Sequence, residues 1–309
     1  MSQEIWEVTG RRSYLGAASL LAFAWFAPAA LAQQPAAASP ADVAETGKKL
    51  SNPISDVWAL FTHVDLNFAD GDVNAGDQRI GGRLVFQPIL PIPLHGTGAN
   101  EWKLISRPTI PVLFSEPVPK GLNTFNHRGG LGDLQVPTLI APPAGNWILG
   151  VGPAFLLPTA SGDDAFGRQQ WGLGPAAVVG YHTKSVIFGA FGQYYWGVGS
   201  TGGRQPGVPD ASYLNLLYFM YINLPNAWQF GLDPTITYDA RATTSNKWNV
   251  PVSLLVTKTT RFGKMPVKFQ FGVQYSVVSQ DIYGERSQLV LDVIPVIPGL
   301  IRHPIFGGD

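Results

Sequence analysis

Apolar and polar side chains alternate with a period of two over much of the chain after about residue 56. Around residue 270, for example, Phe269, Phe271 and Val273 alternate with Lys268 and Gln270. This period places neighbouring side chains on opposite faces of a β-strand, so each strand has one apolar and one polar face. The alternating stretches run to about ten residues or more, which exceeds the usual length of globular strands and matches tilted strands that cross a bilayer.

We count about twelve such stretches, and the connections between them alternate in length. Long polar connections, such as 70–77 and 115–128, alternate with short turns such as 183–184. An even number of strands with short turns at one end and long loops at the other is typical of bacterial outer-membrane barrels. The pattern predicts an all-β fold: a transmembrane antiparallel up-and-down β-barrel of about 12 strands, preceded by a short N-terminal helical and linker segment. The predicted strands are residues 56–69, 79–93, 101–114, 129–141, 146–159, 168–182, 185–199, 211–224, 227–239, 247–259, 266–279 and 286–297.

Five tryptophans stand at or near the start of a predicted strand, where the chain would enter or leave the hydrocarbon layer. Aromatic rings with a polar N–H favour the headgroup layer of a membrane. This placement supports a membrane barrel, with a soluble periplasmic β-sandwich as the alternative. The five are Trp58, Trp102, Trp147, Trp228 and Trp248.

The composition agrees with an apolar setting. Charged residues make up 14% of the chain, against about 25% in ordinary soluble domains, whereas 45% of the chain is hydrophobic. The 21 basic and 21 acidic side chains balance to a net charge of zero, which removes the general electrostatic basis for binding nucleic acid. The chain has no cysteine, so disulfides and thiolate metal sites are excluded.

One long stretch without charge, between Asp133 and Asp163, has the length of a transmembrane helix. Prolines and glycines interrupt it throughout, and in lipid a helix with such breaks would leave backbone groups unpaired. We therefore predict two strands around a turn at 141–145. Other predicted strands also contain proline, which requires bulges, strand ends, or widely spaced positions where lumen water replaces the lost ladder bond, because a closed barrel has no edge for them. These prolines are Pro88, Pro108, Pro111, Pro153, Pro175, Pro234 and Pro251.

The N-terminus has the pattern of a secretory signal peptide. Arg11 and Arg12 precede an apolar run that ends in the small-x-small sequence Ala30-Leu31-Ala32. The arginine pair also resembles a twin-arginine export signal, but that route carries folded cargo, so an ordinary signal is favoured. Beyond the signal, a short helix is expected to begin near Asp42. The expected parts of the chain are the signal peptide over 1–32, a linker and short periplasmic segment over 33–54, the barrel over 55–298 and a tail over 299–309.

The polar faces of the predicted strands would line the barrel interior if the apolar faces contact lipid. Four basic side chains then lie on neighbouring strands, which allows two interpretations. Cross-strand ion pairs, Asp65 with Arg83 and Arg107 with Asp133, would stabilise the wall. Alternatively, the basic side chains form a strip that steers anionic solutes. The candidate lumen-lining residues are Arg79, Arg83, Lys103, Arg107, Asp65, Asp133, Asp233 and Lys268.

Several segments together resemble the outer-membrane proteins of the MetA-pathway of phenol degradation family. The resemblance spans most of the chain after the predicted signal and linker, and it implies an outer-membrane β-barrel with a role in passing aromatic or other small molecules. It implies no catalytic residue. The chain departs from the usual barrel pattern by continuing past its last strand instead of ending on an aromatic residue. The segments are NEWKLISRP at 100–108, Gly132-Asp133, GVGP at 150–153, FLLPTA at 155–160, NKWNVPV at 246–252 and GKMPVK at 263–268.

These observations predict a small-molecule channel or transporter in the cell outer membrane, with a closed structural or surface-contact barrel as the alternative. The expected partners are outer-membrane lipid, lipopolysaccharide, the barrel-assembly machinery and a small-molecule solute. No nucleic acid, cofactor or metal is expected. We predict no enzymatic activity, because the strand pattern brings together no serine and histidine with a third polar group, as a hydrolase in a barrel requires.

Overall fold

The computed structural model of the protein describes residues 39–161, 166–201 and 208–307. The predicted signal peptide, residues 1–32, and the linker up to residue 38 lie outside this part of the chain.

Helix α1 (Pro40–Lys49) begins earlier than the sequence predicts. Its N-cap is Ser39 and not Asp42, because the two residues form a capping box. The Ser39 hydroxyl accepts a hydrogen bond from the Asp42 amide, and the Asp42 carboxylate accepts one from the Ser39 amide at 2.7 Å. Within the described residues, no helix is long and apolar enough to cross a bilayer.

The described strands form one closed antiparallel barrel, which confirms the predicted fold. The barrel crosses from one end to the other 12 times, and we call each crossing a stave; three staves consist of two consecutive strands each. Fifteen strands build it: β1 (Ala59–Asp70), β2 (Arg79–His95), β3 (Trp102–Ser106), β4 (Ile110–Gly121), β5 (Thr124–Leu131), β6 (Leu134–Ala141), β7 (Trp147–Leu157), β8 (Gln170–His182), β9 (Val186–Ser200), β10 (Ser212–Asn223), β11 (Trp228–Leu232), β12 (Thr235–Asp239), β13 (Trp248–Phe262), β14 (Met265–Val278) and β15 (Gly284–Pro295). β1 pairs with both β2 and β15, which closes the sheet on itself. We call the end where β1 begins and α1 lies the helix end, and the opposite end, with the longer connections, the loop end.

Three staves are interrupted, between β3 and β4, between β5 and β6, and between β11 and β12. Pro108 and Pro234 lie in two of these breaks, because proline lacks the amide donor that a strand ladder needs. The third break lies at Gly132-Asp133. Each break also holds a charged residue from the predicted lumen set, namely Arg107, Asp133 or Asp233.

The other prolines are accommodated within the staves. Pro251 lies at a register shift between β13 and β14, as the sequence predicts. Pro153 lies directly opposite Pro175, so two residues without an amide donor face each other across β7 and β8. Pro88 and Pro111 pair in register with no bulge at either residue. The uncharged stretch that includes Pro153 forms strands β6 and β7, as predicted.

The long loop predicted over 115–128 is wrong, because β4 and β5 continue as a hairpin to a tight turn. Asn123 in this turn has a φ of 56°, a left-handed conformation that asparagine tolerates. Its amide donates to the carbonyl of Val73 at 2.7 Å, and the Phe125 ring lies 5.4 Å from the Tyr283 ring. These contacts with other loops hold the hairpin at the loop end. The alternation of apolar and polar residues gives no sign of them, because they join segments that are far apart in the sequence.

The outer face of the barrel is apolar and the inner face is polar where the strands alternate. On β14, Phe271 is 58% exposed and its neighbour Gln270 is 3% exposed. Exposed tryptophans form a ring at each end of the barrel, as expected where a membrane meets water. Trp102, Trp147 and Trp228 lie at the helix end, and Trp171, Trp196 and Trp248 lie at the loop end.

Spin labels test which face contacts lipid, and the absence of cysteine allows single labels to be placed cleanly. Labels on Phe271→Cys and Phe230→Cys are expected to collide with oxygen dissolved in the bilayer, because both side chains point outward. Labels on Gln270→Cys and Gln229→Cys are expected to be shielded, because both side chains point inward. Equal or reversed oxygen accessibility, measured by electron paramagnetic resonance, would contradict the assignment of the faces.

Candidate functional site

A polar cavity of about 740 Å³ occupies the barrel interior from the loop end to roughly half its depth. Side chains from ten of the 12 staves line it, and among the described strands β7 and β8 contribute none. The structure brings half of the predicted lumen residues to this cavity and places the other half elsewhere. Asp65, Arg83, Arg107 and Asp233 line the cavity, whereas Arg79, Lys103, Asp133 and Lys268 do not.

The helix end of the interior is filled by an apolar core, so the cavity does not continue through it. Side chains from the strands form most of this core, and the segment after α1 completes it. We call this segment, residues 50–55, the plug segment. Leu50 is 2% exposed and Ile54 is 6% exposed within the core. The strand residues around them include Phe61, Ile89, Ile105, Leu139, Ile148, Val178, Ile187 and Ile294.

Lys268 holds the plug segment instead of lining an open lumen. The side chain is 1% exposed, and its Nζ donates a hydrogen bond to Ser51 Oγ at 2.8 Å. The same ammonium group lies 4.4 Å from the centre of the Tyr221 ring, a cation–π distance. Ser51 Oγ also lies 3.0 Å from Gln229 Oε1. A buried ammonium group needs such partners, so these contacts tie the plug segment to the wall.

Between the apolar core and the open cavity lies a hydrogen-bonded row that we call the floor network. His63 Nδ1 lies 2.8 Å from Asp292 Oδ1, and Gln270 Nε2 donates to Asp292 Oδ2 at 2.6 Å. These three residues lie side by side on β1, β15 and β14, so the network crosses the junction of the first and last strands. The members of the floor network are Arg107, Gln87, His63, Asp292, Gln270, Asp233 and Tyr221.

Nearer the loop end, the predicted pair between Asp65 and Arg83 is present. The two residues are register partners on β1 and β2, and Arg83 Nε donates to Asp65 Oδ2 at 3.1 Å. The same guanidinium binds Glu285 on β15 at 2.5 Å. Arg83 is therefore shared between two carboxylates and leaves little positive charge for an anionic solute.

The predicted pair between Arg107 and Asp133 is not formed. Asp133 lies at the break in its stave, and its carboxylate accepts hydrogen bonds from the backbone amides of Arg168, Ala160 and Gln169 at 2.6, 3.1 and 3.2 Å. The aspartate thus holds the connection between β7 and β8. Arg107 instead donates to the Gln87 side chain in the floor network at 2.9 Å.

The last two basic candidates have separate roles. Lys103 lies at the helix end, where its Nζ is 3.1 Å from Glu101 and 4.0 Å from Asp56 beside a smaller cavity of about 230 Å³. Arg79 lies with its guanidinium 4.9 Å from the centre of the Phe125 ring. The four basic side chains therefore do not form the predicted strip, because each of them contacts different partners.

Carboxylates outnumber guanidinium groups around the cavity. The lining includes six carboxylate side chains but two arginines, Arg83 and Arg107. A lumen of this composition attracts cations more than anions. The carboxylates belong to Asp65, Glu116, Asp233, Asp239, Glu285 and Asp292.

Two lining carboxylates, Glu116 and Glu285, were missed by the sequence interpretation. Glu116 falls in the stretch predicted as a loop, and Glu285 precedes the predicted start of the last strand. Alternation assigns a direction to a side chain only inside a strand. Both residues also lie beside register shifts, one between β4 and β5 and the other between β1 and β15. Alternation alone would therefore have placed them on the outer face with Phe114 and Leu289.

A serine–histidine pair, which the strand pattern did not predict, lies on the hairpin of β4 and β5. Ser115 Oγ lies 3.0 Å from His127 Nδ1. In the described part of the chain, no third side chain binds the His127 ring, and the ring is exposed. Because a hydrolytic serine needs a base that another polar group orients, this pair alone does not make a hydrolase site.

Comparisons with known proteins connect the chain to other barrels by structure alone. The COG4313 outer membrane channel from Pseudomonas putida F1 has a TM-score of 0.58 at 12% identity, over 80% of this chain and 98% of that chain. The NanC porin has a TM-score of 0.44 at 11% identity, over 77% and 99% of the two chains. Outer membrane phospholipase A from Escherichia coli has a TM-score of 0.37 at 11% identity, over 80% and 98%. The last two scores are too low to support an argument.

No protein-family profile matches the chain, and no curated protein matches its sequence. The resemblance to the MetA-pathway family therefore stays a prediction. At 12% identity, the likeness to the Pseudomonas putida channel shows the fold and nothing further about this chain.

Proposed function

We propose that the protein is an outer-membrane channel for small polar solutes, which enter from the loop end, and that the plug segment closes it in the present conformation. The observation that carries this proposal is a polar cavity of about 740 Å³ inside a barrel whose outer face is apolar. A closed barrel pairs its backbone groups and can therefore lie in lipid. That a protein of similar fold is an outer membrane channel supports the proposal.

The proposed setting follows from the same surfaces. The apolar belt between the tryptophan rings would contact outer-membrane lipid and lipopolysaccharide, after insertion by the barrel-assembly machinery. The sequence of the N-terminus supports export by a cleaved signal peptide.

The lining favours polar solutes over the aromatic compounds that the family resemblance implies. Ten carboxamide side chains line the cavity in addition to the carboxylates, and an apolar solute would displace water from them without replacing its hydrogen bonds. We therefore expect the channel to pass hydroxylated or amine-bearing solutes in preference to aromatic hydrocarbons. The carboxamides belong to Asn67, Gln87, Gln135, Gln193, Asn215, Asn246, Asn249, Gln274, Gln280 and Gln288.

Swelling of liposomes tests the channel directly. Liposomes that contain the full-length protein are expected to swell slowly in an isotonic pentose solution, because solute must pass a closed helix end. They are expected to exclude a trisaccharide, because the cavity is narrow. Protein-free liposomes are the control. Liposomes that stay as tight as this control in every solute, both with the native protein and after displacement of the plug segment by mutation, would contradict the proposal.

A closed structural barrel is the second candidate, and the apolar core at the helix end favours it. Leu50 is 2% exposed and Ile54 is 6% exposed, as buried as residues of a soluble core. Under this alternative, liposomes stay tight even after the plug segment has been displaced by mutation. The two functions therefore differ in a measurable way.

A further inference from the structure

A buried side chain in the wall of the cavity, toward the loop end, lacks any hydrogen-bond partner among the described residues. Asn67 on β1 is 3% exposed and lines the cavity, yet neither its Nδ2 nor its Oδ1 has a partner among the described residues. Buried carboxamides are normally hydrogen-bonded, because an unpaired one loses its contacts with water without replacement. The free donor and acceptor of Asn67 therefore point to a ligand.

A carboxylate without a counter-ion lies next to Asn67. The register partner of Asn67 on β2 is Gly81, and Glu116 Oε2 lies 3.0 Å from the position that a Cβ atom on Gly81 would occupy. Glu116 has no ion pair or hydrogen bond to any residue in the described ranges. Arg83, the guanidinium nearby, is already bound to Asp65 and Glu285.

A third unsatisfied group faces the same part of the cavity. Tyr283, between β14 and β15, lines the cavity, and its buried hydroxyl has no partner in the described part of the chain. Its ring packs on Phe125, and the Arg79 guanidinium lies 4.9 Å from the centre of the same Phe125 ring. Gly81 carries no side chain, and a Cβ there would lie 3.0 Å from Glu116 Oε2 and 3.1 Å from Pro117 Cδ, so the Glu116 carboxylate packs directly over the backbone of Gly81, beside Asn67.

We propose that Asn67, Glu116 and Tyr283 form a binding site for a small solute that carries an ammonium group together with hydroxyl groups. Glu116 would accept a charge-assisted hydrogen bond from the ammonium group, and the carboxamide and the phenol would bind hydroxyls. Three carboxylates, Asp65, Glu116 and Glu285, outnumber the two guanidinium groups near the site, Arg83 and Arg79, so the excess negative charge favours a cation over an anion. The inference rests on the proposed channel function and names its solute class.

An organic ammonium group fits these residues better than a metal ion. The described residues contain no group of three or more histidine, cysteine or acidic side chains with the spacing of a metal site. A carboxamide and a phenol beside one free carboxylate supply too few anionic oxygens for a hard divalent cation. They match the several separate donors and acceptors of an amino sugar.

Calorimetry on the full-length protein in detergent at low salt tests the site with three sugars of one size. Glucosamine carries an ammonium group, glucose is neutral, and glucuronate is an anion. Glucosamine is expected to bind at least about tenfold more tightly than either of the others, the effect of one charge-assisted contact. Glu116→Gln is expected to lower glucosamine affinity about tenfold, because the amide keeps the shape and loses the charge.

Two further variants separate local from general effects. Gly81→Ala places a methyl group 3.0 Å from Glu116 Oε2 and 3.1 Å from Pro117 Cδ and is expected to weaken glucosamine binding by displacing the Glu116 carboxylate. Asp77→Asn removes an exposed carboxylate at the same end of the barrel, away from the cavity lining, and is expected to leave binding unchanged. If Gly81→Ala fails to fold, the glucosamine affinities of Glu116→Gln and Asp77→Asn are compared instead, and a loss of affinity in Glu116→Gln alone supports the site.

The assignment is overturned by any of four results: no binding of glucosamine, equal affinity for the three sugars, tighter binding of glucuronate, or unchanged affinity in Glu116→Gln. Calorimetry does not depend on transport. Swelling together with any of the four calorimetric results would refute the site and keep the channel. Binding of glucosamine to a protein that leaves liposomes tight, also after displacement of the plug segment, would keep the site and refute the channel.

Discussion

Replacing Ile54 with aspartate is expected to raise the conductance of the barrel in planar bilayers. Ile54 is 6% exposed in the apolar core at the helix end, where it packs beside Leu50 and close to Gly150. Burying an isoleucine side chain stabilises the closed arrangement by about 1.5–3 kcal/mol, and an unpaired carboxylate in its place adds a further penalty. A shift of about 3 kcal/mol changes the ratio of open to closed barrels about a hundredfold.

The control for this experiment is Ala41→Asp, which adds the same charge at an exposed position of α1. It is expected to keep the native conductance. The barrel itself should stay folded in both variants, because the plug segment contributes no rung to the ladder that closes β1 on β15, and migration on gels before and after heating checks this. A folded Ile54→Asp protein that conducts no better than Ala41→Asp would show that the strand side chains alone seal the barrel.

The number of staves and the direction of their outer faces could be predicted, because lipid imposes one simple rule on them. Every lipid-facing position must be apolar, so Phe271 and its equivalents stand out beside inward residues such as Gln270. The tryptophan rings follow from the same physics, since the headgroup layer selects indole. These features depend on the surroundings of the barrel and not on its particular internal packing.

The interior at the helix end could not be predicted, because its side chains are apolar on both faces of the strand. Leu139 and Ile148 point inward into the apolar core, whereas Ile140 and Leu149 on the same strands point outward. Alternation loses its meaning where both faces are apolar. Leu50, which lies outside the barrel strands, completes this core. Its contacts are with residues far away in the sequence, so no local sequence pattern predicts them.

Side-chain partners were predictable only where the strands are regular. Asp65 and Arg83 are register partners in unbroken strands, so the predicted contact forms. Asp133 lies at a break in its stave, where the chain leaves the ladder and the carboxylate binds loop amides. Glu116 lies beside a register shift between β4 and β5, so alternation does not predict that it faces the cavity. Strand breaks and register shifts therefore limit what the sequence alone can assign.

Truncation of Asp292 is expected to cause the largest loss of stability of any single lumen substitution. Asp292 is 0% exposed and accepts hydrogen bonds from His63 and Gln270, which join β15 to β1 on one side and to β14 on the other. Removing one member of a buried, hydrogen-bonded pair leaves the other without a partner and typically costs about 3–5 kcal/mol. Asp292→Ala should lower the free energy of unfolding by this amount.

A double substitution separates the loss of a partner from the value of the pair itself. In His63→Leu/Asp292→Leu both buried polar groups are replaced by apolar ones, and at least half of the lost stability should return, because no unpaired group remains at that contact. Asp281→Ala, an exposed loop position, should change stability by less than about 0.5 kcal/mol. Equilibrium unfolding in urea, followed by tryptophan fluorescence in lipid vesicles, gives the free energy of unfolding of each of the three variants. An Asp292→Ala protein as stable as Asp281→Ala would mean that the backbone ladder between β1 and β15 closes the barrel without help from the floor network.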